Sequence, residues 1–243
     1  MAGLKLYYDL MSQPSRAIYL FLKINNIPFT DKAVALRKGE HFTPEYTKIN
    51  PFNRVPVIDD NGFILTESVA ILKYLCDTNR MTLADHWYPQ DLKQRARVDE
   101  YLAWQHWNTR MHAAFYFRTK VIEPRQKQIP VNQEKLDRFR SELEITLEHI
   151  QSVFLRDRPY LCGDDISIAD LLGVCELMQP YAAGLDVREG DQSWQHGWKG
   201  SKRDCSPTLM RLTSKYTDSM KILLGPRCDD CTGNGGTYIM LMP

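Results

Sequence analysis

Ser12, His41, Arg54, Glu67 and Ser68 are the side chains in the first third of this 243-residue chain whose types and settings could do chemistry. Ser12 stands between a short apolar run, Leu4-Lys5-Leu6-Tyr7-Tyr8, and Gln13-Pro14-Ser15-Arg16, where a proline falls in the first turn of a helix. A hydroxyl beside a helix N-terminus either caps that helix or donates to an anion, with the helix dipole assisting. No sequence signature nominates a His/Asp pair to activate Ser12 as a nucleophile, so a donor role fits better than an attacking one. Glu67-Ser68 opens a later helix. Besides capping it, the pair could recognise an amino-acid-like group: the Ser68 hydroxyl and backbone N–H for a carboxylate, Glu67 for an ammonium. His41 and Arg54, both in loops, are either exposed and inert or hold a second carboxylate. Val55-Pro56 either begins a strand or forms a cis peptide that turns the Val55 backbone toward an extended ligand. Arg110, near Trp104 and Trp107, belongs most simply on a solvated or inter-subunit face.

The elements that must position these residues follow from hydrophobic period and turn chemistry. Leu4–Tyr8 reads as a buried strand, and Ile18, Phe21 and Leu22 recur at helical spacing until Asn25-Asn26 and Pro28 stop the helix. Phe29 to Ala35 reads as a second strand, and Gly39 to Pro51 as polar and turn-rich, with one short helical turn around Glu45. Val55 to Leu65 reads as a hairpin turning on Asn61-Gly62. Thr66-Glu67-Ser68 then opens a helix carrying Ala70, Ile71, Tyr74 and Leu75. The order β-α-β, then β-β-α, predicts a compact α/β domain with a mixed sheet. Past Tyr88-Pro89-Gln90 the pattern is helical: one long helix from Asp91 to about Ile122, then an amphipathic stripe of Leu136, Phe139, Leu143, Leu147, Ile150 and Phe154. Ser167 and Asp170 have the spacing of a capping box at the start of a further helix.

Composition narrows the function classes. With 31 Lys+Arg against 30 Asp+Glu there is no basic excess for nucleic acid or a membrane surface. No apolar run approaches a membrane span, and Asp9 interrupts any signal-peptide core. Six cysteines in this length point to reduced cytosolic thiols, not a disulfide framework. Beyond about Asp186 the periodicity is lost, except over Leu209 to Leu224, which reads as a short amphipathic helix, and glycines and cysteines accumulate. There Cys228-Asp229-Asp230-Cys231, with His196 and Cys205, supplies one CxxC where a zinc site usually needs a second pair, so no metal is expected.

Taken together, Ser12-Gln13-Pro14, His41, Asn50-Pro51-Phe52-Asn53-Arg54-Val55-Pro56, Thr66-Glu67-Ser68-Val69-Ala70-Ile71 and Ser167-Ile168-Ala169-Asp170 resemble the cytosolic glutathione transferases. Trp87 to Leu92 and Arg95 to His106 are similar to the theta class in particular, and the resemblance runs from about residue 3 to about residue 185. It implies a thioredoxin-like N-terminal domain over 1–82 that binds glutathione, and an all-α helical-bundle domain over 88–186 that supplies the electrophile pocket. The remaining 187–243 form an atypical tail, as a frameshifted or alternatively spliced end would. By the same resemblance Ser12 is the catalytic serine, while His41, Arg54, Val55, Glu67 and Ser68 are glutathione-binding. Arg110 matches an arginine facing the active site in related members, and Pro56, Ser167 and Asp170 are structural positions. The implied activity conjugates the thiolate of reduced glutathione, a co-substrate with no further cofactor, to small hydrophobic electrophiles such as alkyl halides and epoxides, with peroxide reduction as a further reaction. A cytoplasmic homodimer acting in detoxification is implied as well. The alternative is a non-catalytic glutathione-binding or dimerising protein, inactive because its C-terminal helices are replaced. A thiol–disulfide oxidoreductase of the same fold needs a cysteine at the strand–helix junction, where this chain has Ser12 and Ser15.

Overall fold

The sheet is organised around β1 (Leu4–Tyr8), whose alternate residues Leu4 and Leu6 are buried, as the half-apolar pattern requires. The structure, a computed structural model, describes residues 3–185 and Val187. The rest of the atypical tail lies outside the described residues, including the helix expected over 209–224, His196 and the cysteines at 205, 228 and 231. β2 (Thr30–Ala33) pairs parallel with β1, and β3 (Val57–Asp60) pairs antiparallel on its other side. β4 (Phe63–Leu65) closes the order β2-β1-β3-β4. Asn61 and Gly62 between β3 and β4 have φ of 53° and 95°, the left-handed pair that a two-residue hairpin needs.

α1 (Gln13–Ile24) buries Ile18, Phe21 and Leu22 completely and packs against α3 (Ser68–Thr78). It stops at Asn25, whose Nδ2 donates to the Phe21 carbonyl at 2.9 Å. The polar stretch after β2 holds two single 3-10 turns, Leu36–Lys38 and Glu40–Phe42, and then α2 (Pro44–Thr47). Thr43 caps α2 by accepting the Tyr46 N–H.

The described residues group into two units, one of 3–102 with 166–175, the other of 103–165 with 176–185. In the first, the late segment is tied to early residues by polar contacts. The Arg16 guanidinium donates to the Cys175 carbonyl at 2.9 Å, and His86 Nδ1 lies 2.6 Å from the Ile166 carbonyl. The capping-box hydrogen bonds are formed there: Asp170 Oδ2 accepts the Ser167 N–H at 2.8 Å, and the Ser167 hydroxyl accepts the Ala169 N–H at 3.2 Å. Both residues are buried, so the cap satisfies donors that water cannot reach.

The single helix expected over 91–122 is a correction. α4 (Leu92–Trp104) ends in a turn over 105–108, and α5 (Thr109–Phe117) begins anew. The Asn108 amide donates to the Trp104 carbonyl at 2.8 Å, and the Asn108 backbone leaves helical space at φ −119°, ψ −91°. A side-chain amide that takes over the last carbonyl offers the backbone an exit from the helix without glycine or proline. α5 continues through a wider turn, Arg118–Ile122, into α6 (Glu123–Lys127). The stripe lies on α7 (Gln133–His149), capped by Asn132, and runs on into the wide turn Ile150–Leu155. α8 (Ile168–Ala182) completes the described chain.

Candidate functional site

Strand register brings most of the candidate residues to one end of the sheet. β1 and β2 are parallel with Tyr8 opposite Ala33, so the segments leaving them, to Ser12 and to His41, emerge at the same end. β3 is antiparallel to β1 with Val57 opposite Tyr7, so Val55-Pro56, just ahead of β3, arrives at that end too. Leu65 lies opposite Ile58, which delivers Glu67 and Ser68 there as well. Val34, Tyr46 and Val57 form a small apolar cluster with Tyr7, Ile49 and Val55 that supports these loops from beneath.

The local settings show which polar groups are uncommitted. Ser12 is the residue preceding α1, half-buried, yet its side chain makes no capping hydrogen bond. Ser68 is the first residue of α3 and only 3% exposed, and its Oγ has no hydrogen-bond partner. A buried, desolvated hydroxyl at a helix N-terminus is a group prepared for a polar ligand. Glu67 is exposed and holds φ 65°, ψ 113°, a left-handed conformation that costs a side-chain-bearing residue about 1 kcal/mol or more. His41 sits in the second 3-10 turn with its ring against Phe42, and its buried Nδ1 lacks a partner. The Arg54 side chain is exposed, while its carbonyl accepts from Tyr46 Oη at 2.6 Å and Asn50 Nδ2 at 2.7 Å. Burial pushes the Tyr46 phenol up to about 12, which keeps it a donor. The Val55-Pro56 peptide is cis.

Arg110 is placed otherwise. It belongs to the helical unit, where its Nε lies 3.9 Å from Oε1 of the fully buried Glu176. That ion pair gives the arginine a structural partner that its own neighbourhood in sequence did not reveal. Three residues that shape the loops were not singled out as functional from sequence. Asn50 and Tyr46 hold the Arg54 carbonyl, and Asp9 holds the Ser12 loop; an Asp three residues before a serine in Asp-Leu-Met-Ser is a turn signal that could have exposed the last. Among the described residues no group of His, Cys, Asp and Glu could hold a metal ion.

A mixed four-stranded sheet with flanking helices, followed by a helical unit, and with uncapped hydroxyls at two helix starts on one sheet end, defines a glutathione-transferase type of fold. The chain matches the glutathione S-transferase N-terminal domain over residues 2–77 and the C-terminal domain over 106–196. Glutathione S-transferase theta-1 of Bos taurus is 48% identical over 188 residues, covering 77% of this chain and 78% of that one. Theta-2 of Mus musculus is 46% identical over 188 residues, with 77% and 76% covered. Among solved structures, the apo form of human glutathione-S-transferase T1-1 superposes with a TM-score of 0.74 at 39% identity, covering 94% of each chain. Human glutathione transferase theta-2, in complex with glutathione and an unknown ligand, gives 0.75 at 39% identity, covering 91% of this chain and 89% of that one. The chain belongs to the glutathione S-transferase family, and its relatives carry theta-class names.

Proposed function

We propose that this transferase activates reduced glutathione through Ser12 and conjugates it to small hydrophobic electrophiles such as alkyl halides and epoxides, with peroxide reduction as a related reaction. Four chain segments converging on one sheet end carry the reading, with the Ser12 and Ser68 hydroxyls both uncommitted there. Ser68 and its N–H take one carboxylate of the tripeptide and Glu67 its ammonium. The Val55 backbone, just ahead of β3, pairs with the extended peptide, and His41 and Arg54 take the second carboxylate.

The energetics are adequate without a metal or a general base. A free thiol titrates near ~8.5, and lowering that by about two units needs roughly 2.7 kcal/mol in favour of the thiolate. A charge-assisted hydrogen bond supplies ~1.5–3 kcal/mol and a helix N-terminus ~0.3–2 kcal/mol. The thiolate sulfur then attacks an electrophilic carbon, and the carbon–halogen or carbon–oxygen bond breaks with its electron pair leaving on the halide or epoxide oxygen. Arg110 is the proposed contact to the electrophile, by family resemblance. We further infer a cytoplasmic homodimer serving detoxification; among the described residues no helix is long and apolar enough to cross a membrane.

The purified chain should bind a glutathione matrix and conjugate a small alkyl halide or aryl epoxide. Retention on the matrix without turnover would favour the non-catalytic alternative, which the transferase names of the relatives do not support.

A further inference from the structure

We propose that Asp9 is a positioning residue for the conjugation reaction, its carboxylate fixing the Ser12 loop and the segment leading to His41 in a single register. This rests on the roles given above to Ser12 and His41. Asp9 Oδ1 accepts the Met11 N–H at 2.8 Å, and its backbone carbonyl accepts the Ser12 N–H at 2.9 Å, so one residue closes the turn that presents the serine. The other carboxylate oxygen crosses to a different strand connection and accepts the Leu36 N–H at 3.0 Å.

The place of that crossing gives it its consequence. The β1–β2 pairing ends at Tyr8 opposite Ala33, with one last bond from the Val34 N–H to the Tyr8 carbonyl at 2.8 Å. Beyond it the two chains part, one toward Ser12 and one toward His41, and Asp9 carries the cross-link past the end of the ladder. From Leu36 the restraint reaches His41 through a tightly bonded segment. Glu40 Oε2 accepts the Ala35 N–H at 2.7 Å, the Gly39 N–H bonds the Leu36 carbonyl at 3.1 Å, and the Phe42 N–H bonds the Gly39 carbonyl at 2.9 Å. From its other side the Ser12 loop is held by Arg16, whose guanidinium donates to the Leu10 carbonyl at 2.9 Å. The thiol-activating hydroxyl and the carboxylate-binding imidazole are thereby set at a fixed separation, which suits a ligand that must meet both at once.

The chemistry of the clamp explains why an acid stands there. A carboxylate accepts at both oxygens, whereas an asparagine amide accepts at one and would present its NH₂ to the second N–H. Asp9→Asn therefore opens one arm and Asp9→Ala both. Charge alone predicts the reverse outcome for the thiol: removing a nearby negative charge makes a thiolate easier to form.

The test compares full-length wild type, Asp9→Asn, Asp9→Ala and Ser12→Ala with glutathione as the probe. Thiol ionisation is read from the ultraviolet absorbance of the bound thiolate and from the pH dependence of kcat/KM. Asp9→Ala should move the thiol pKa upward by about one unit, roughly threefold less thiolate at pH 7 and approaching tenfold less at pH 5, with a severalfold higher KM for glutathione and Asp9→Asn between it and wild type. A lowered thiol pKa in either variant, or a loss of Tm with thiol pKa and KM unchanged, overturns the proposal. If Asp9→Ala does not fold, Asp9→Asn decides by the same readings. An unchanged thiol pKa in Ser12→Ala is a separate result: it defeats the serine reading, and the proposal falls with it.

Discussion

Replacing Ser12 by alanine separates stability from chemistry at one position. A serine ahead of a helix contributes about 1 kcal/mol when its side chain caps that helix. The Ser12 side chain makes no such bond, so the alanine variant should lose less than about 0.5 kcal/mol, within roughly 2 °C in Tm for a chain of this size. The hydrogen bond to the thiolate is the larger loss. At ~1.5–3 kcal/mol it corresponds to a rise of about one to two units in the thiol pKa and, from a starting value about two units below the free thiol, roughly a 4- to 40-fold fall in thiolate and turnover at neutral pH. Glutathione affinity should stay close to wild type, because the carboxylates and ammonium of the peptide have other partners. The assay is the pH dependence of kcat/KM with an alkyl halide, alongside a thermal melt and a direct measurement of glutathione binding. The reasoning is refuted if the variant turns over like wild type with an unmoved pH profile. A large loss of Tm would equally refute it, since Ser12 would then be needed by the fold.

Other expectations follow from groups whose settings are equally specific. Ser68→Ala removes a buried hydroxyl that has no partner, so it should leave Tm unchanged or slightly raised while the KM for glutathione rises about tenfold; a marked loss of Tm would show that the hydroxyl is satisfied in the free protein. Glu67→Gly relieves the left-handed backbone and should stabilise by about 1 kcal/mol, whereas Glu67→Ala should not, and both should weaken glutathione binding; equal melts for the two would argue against strain. His112 is buried, and burial holds its imidazole below the usual histidine range. The Thr146 hydroxyl donates to the Glu142 carbonyl, so His112 donates to it through Nδ1–H, and burial favours the uncharged ring. A histidine with a depressed folded pKa contributes stability that is intact above its unfolded value near ~6.5 and is lost as pH falls through that region. Tm should therefore drop between about pH 7 and 5 in wild type and drop less in His112→Asn; parallel melting curves would exclude the assignment.

The parts of the fold legible in the sequence are those whose cause is local. Asn61-Gly62 announces its hairpin because few other residues adopt those dihedrals cheaply, and Leu4 to Tyr8 announces a strand by composition. Ser167 and Asp170 are readable because a capping box has a fixed spacing. The break at Asn108 was not legible, because the amide that ends α4 is not a helix-breaking type and acts through a single bond to Trp104. The Arg110–Glu176 pair joins residues on α5 and α8, and no period in either segment signals it. At the candidate site the residue types were readable one by one. That Ser12, His41, Val55 and Ser68 come to one sheet end depends on strand order and direction, which a single chain segment does not encode.

The membership of residues 166–175 in the first unit has a consequence for the order of synthesis. The ribosome finishes residue 102 and must add 73 more before residue 175 exists, which at roughly 5–20 residues per second takes about 4 to 15 s, before the exit tunnel is counted. Throughout that interval the Arg16 guanidinium lacks the Cys175 carbonyl and His86 lacks the Ile166 carbonyl. The unit that carries Ser12 is begun first but receives its last segment only after residues 103–165 of the other unit have been made. A nascent chain stalled before residue 166 thus offers chaperones and proteases a unit whose polar closure has yet to be translated.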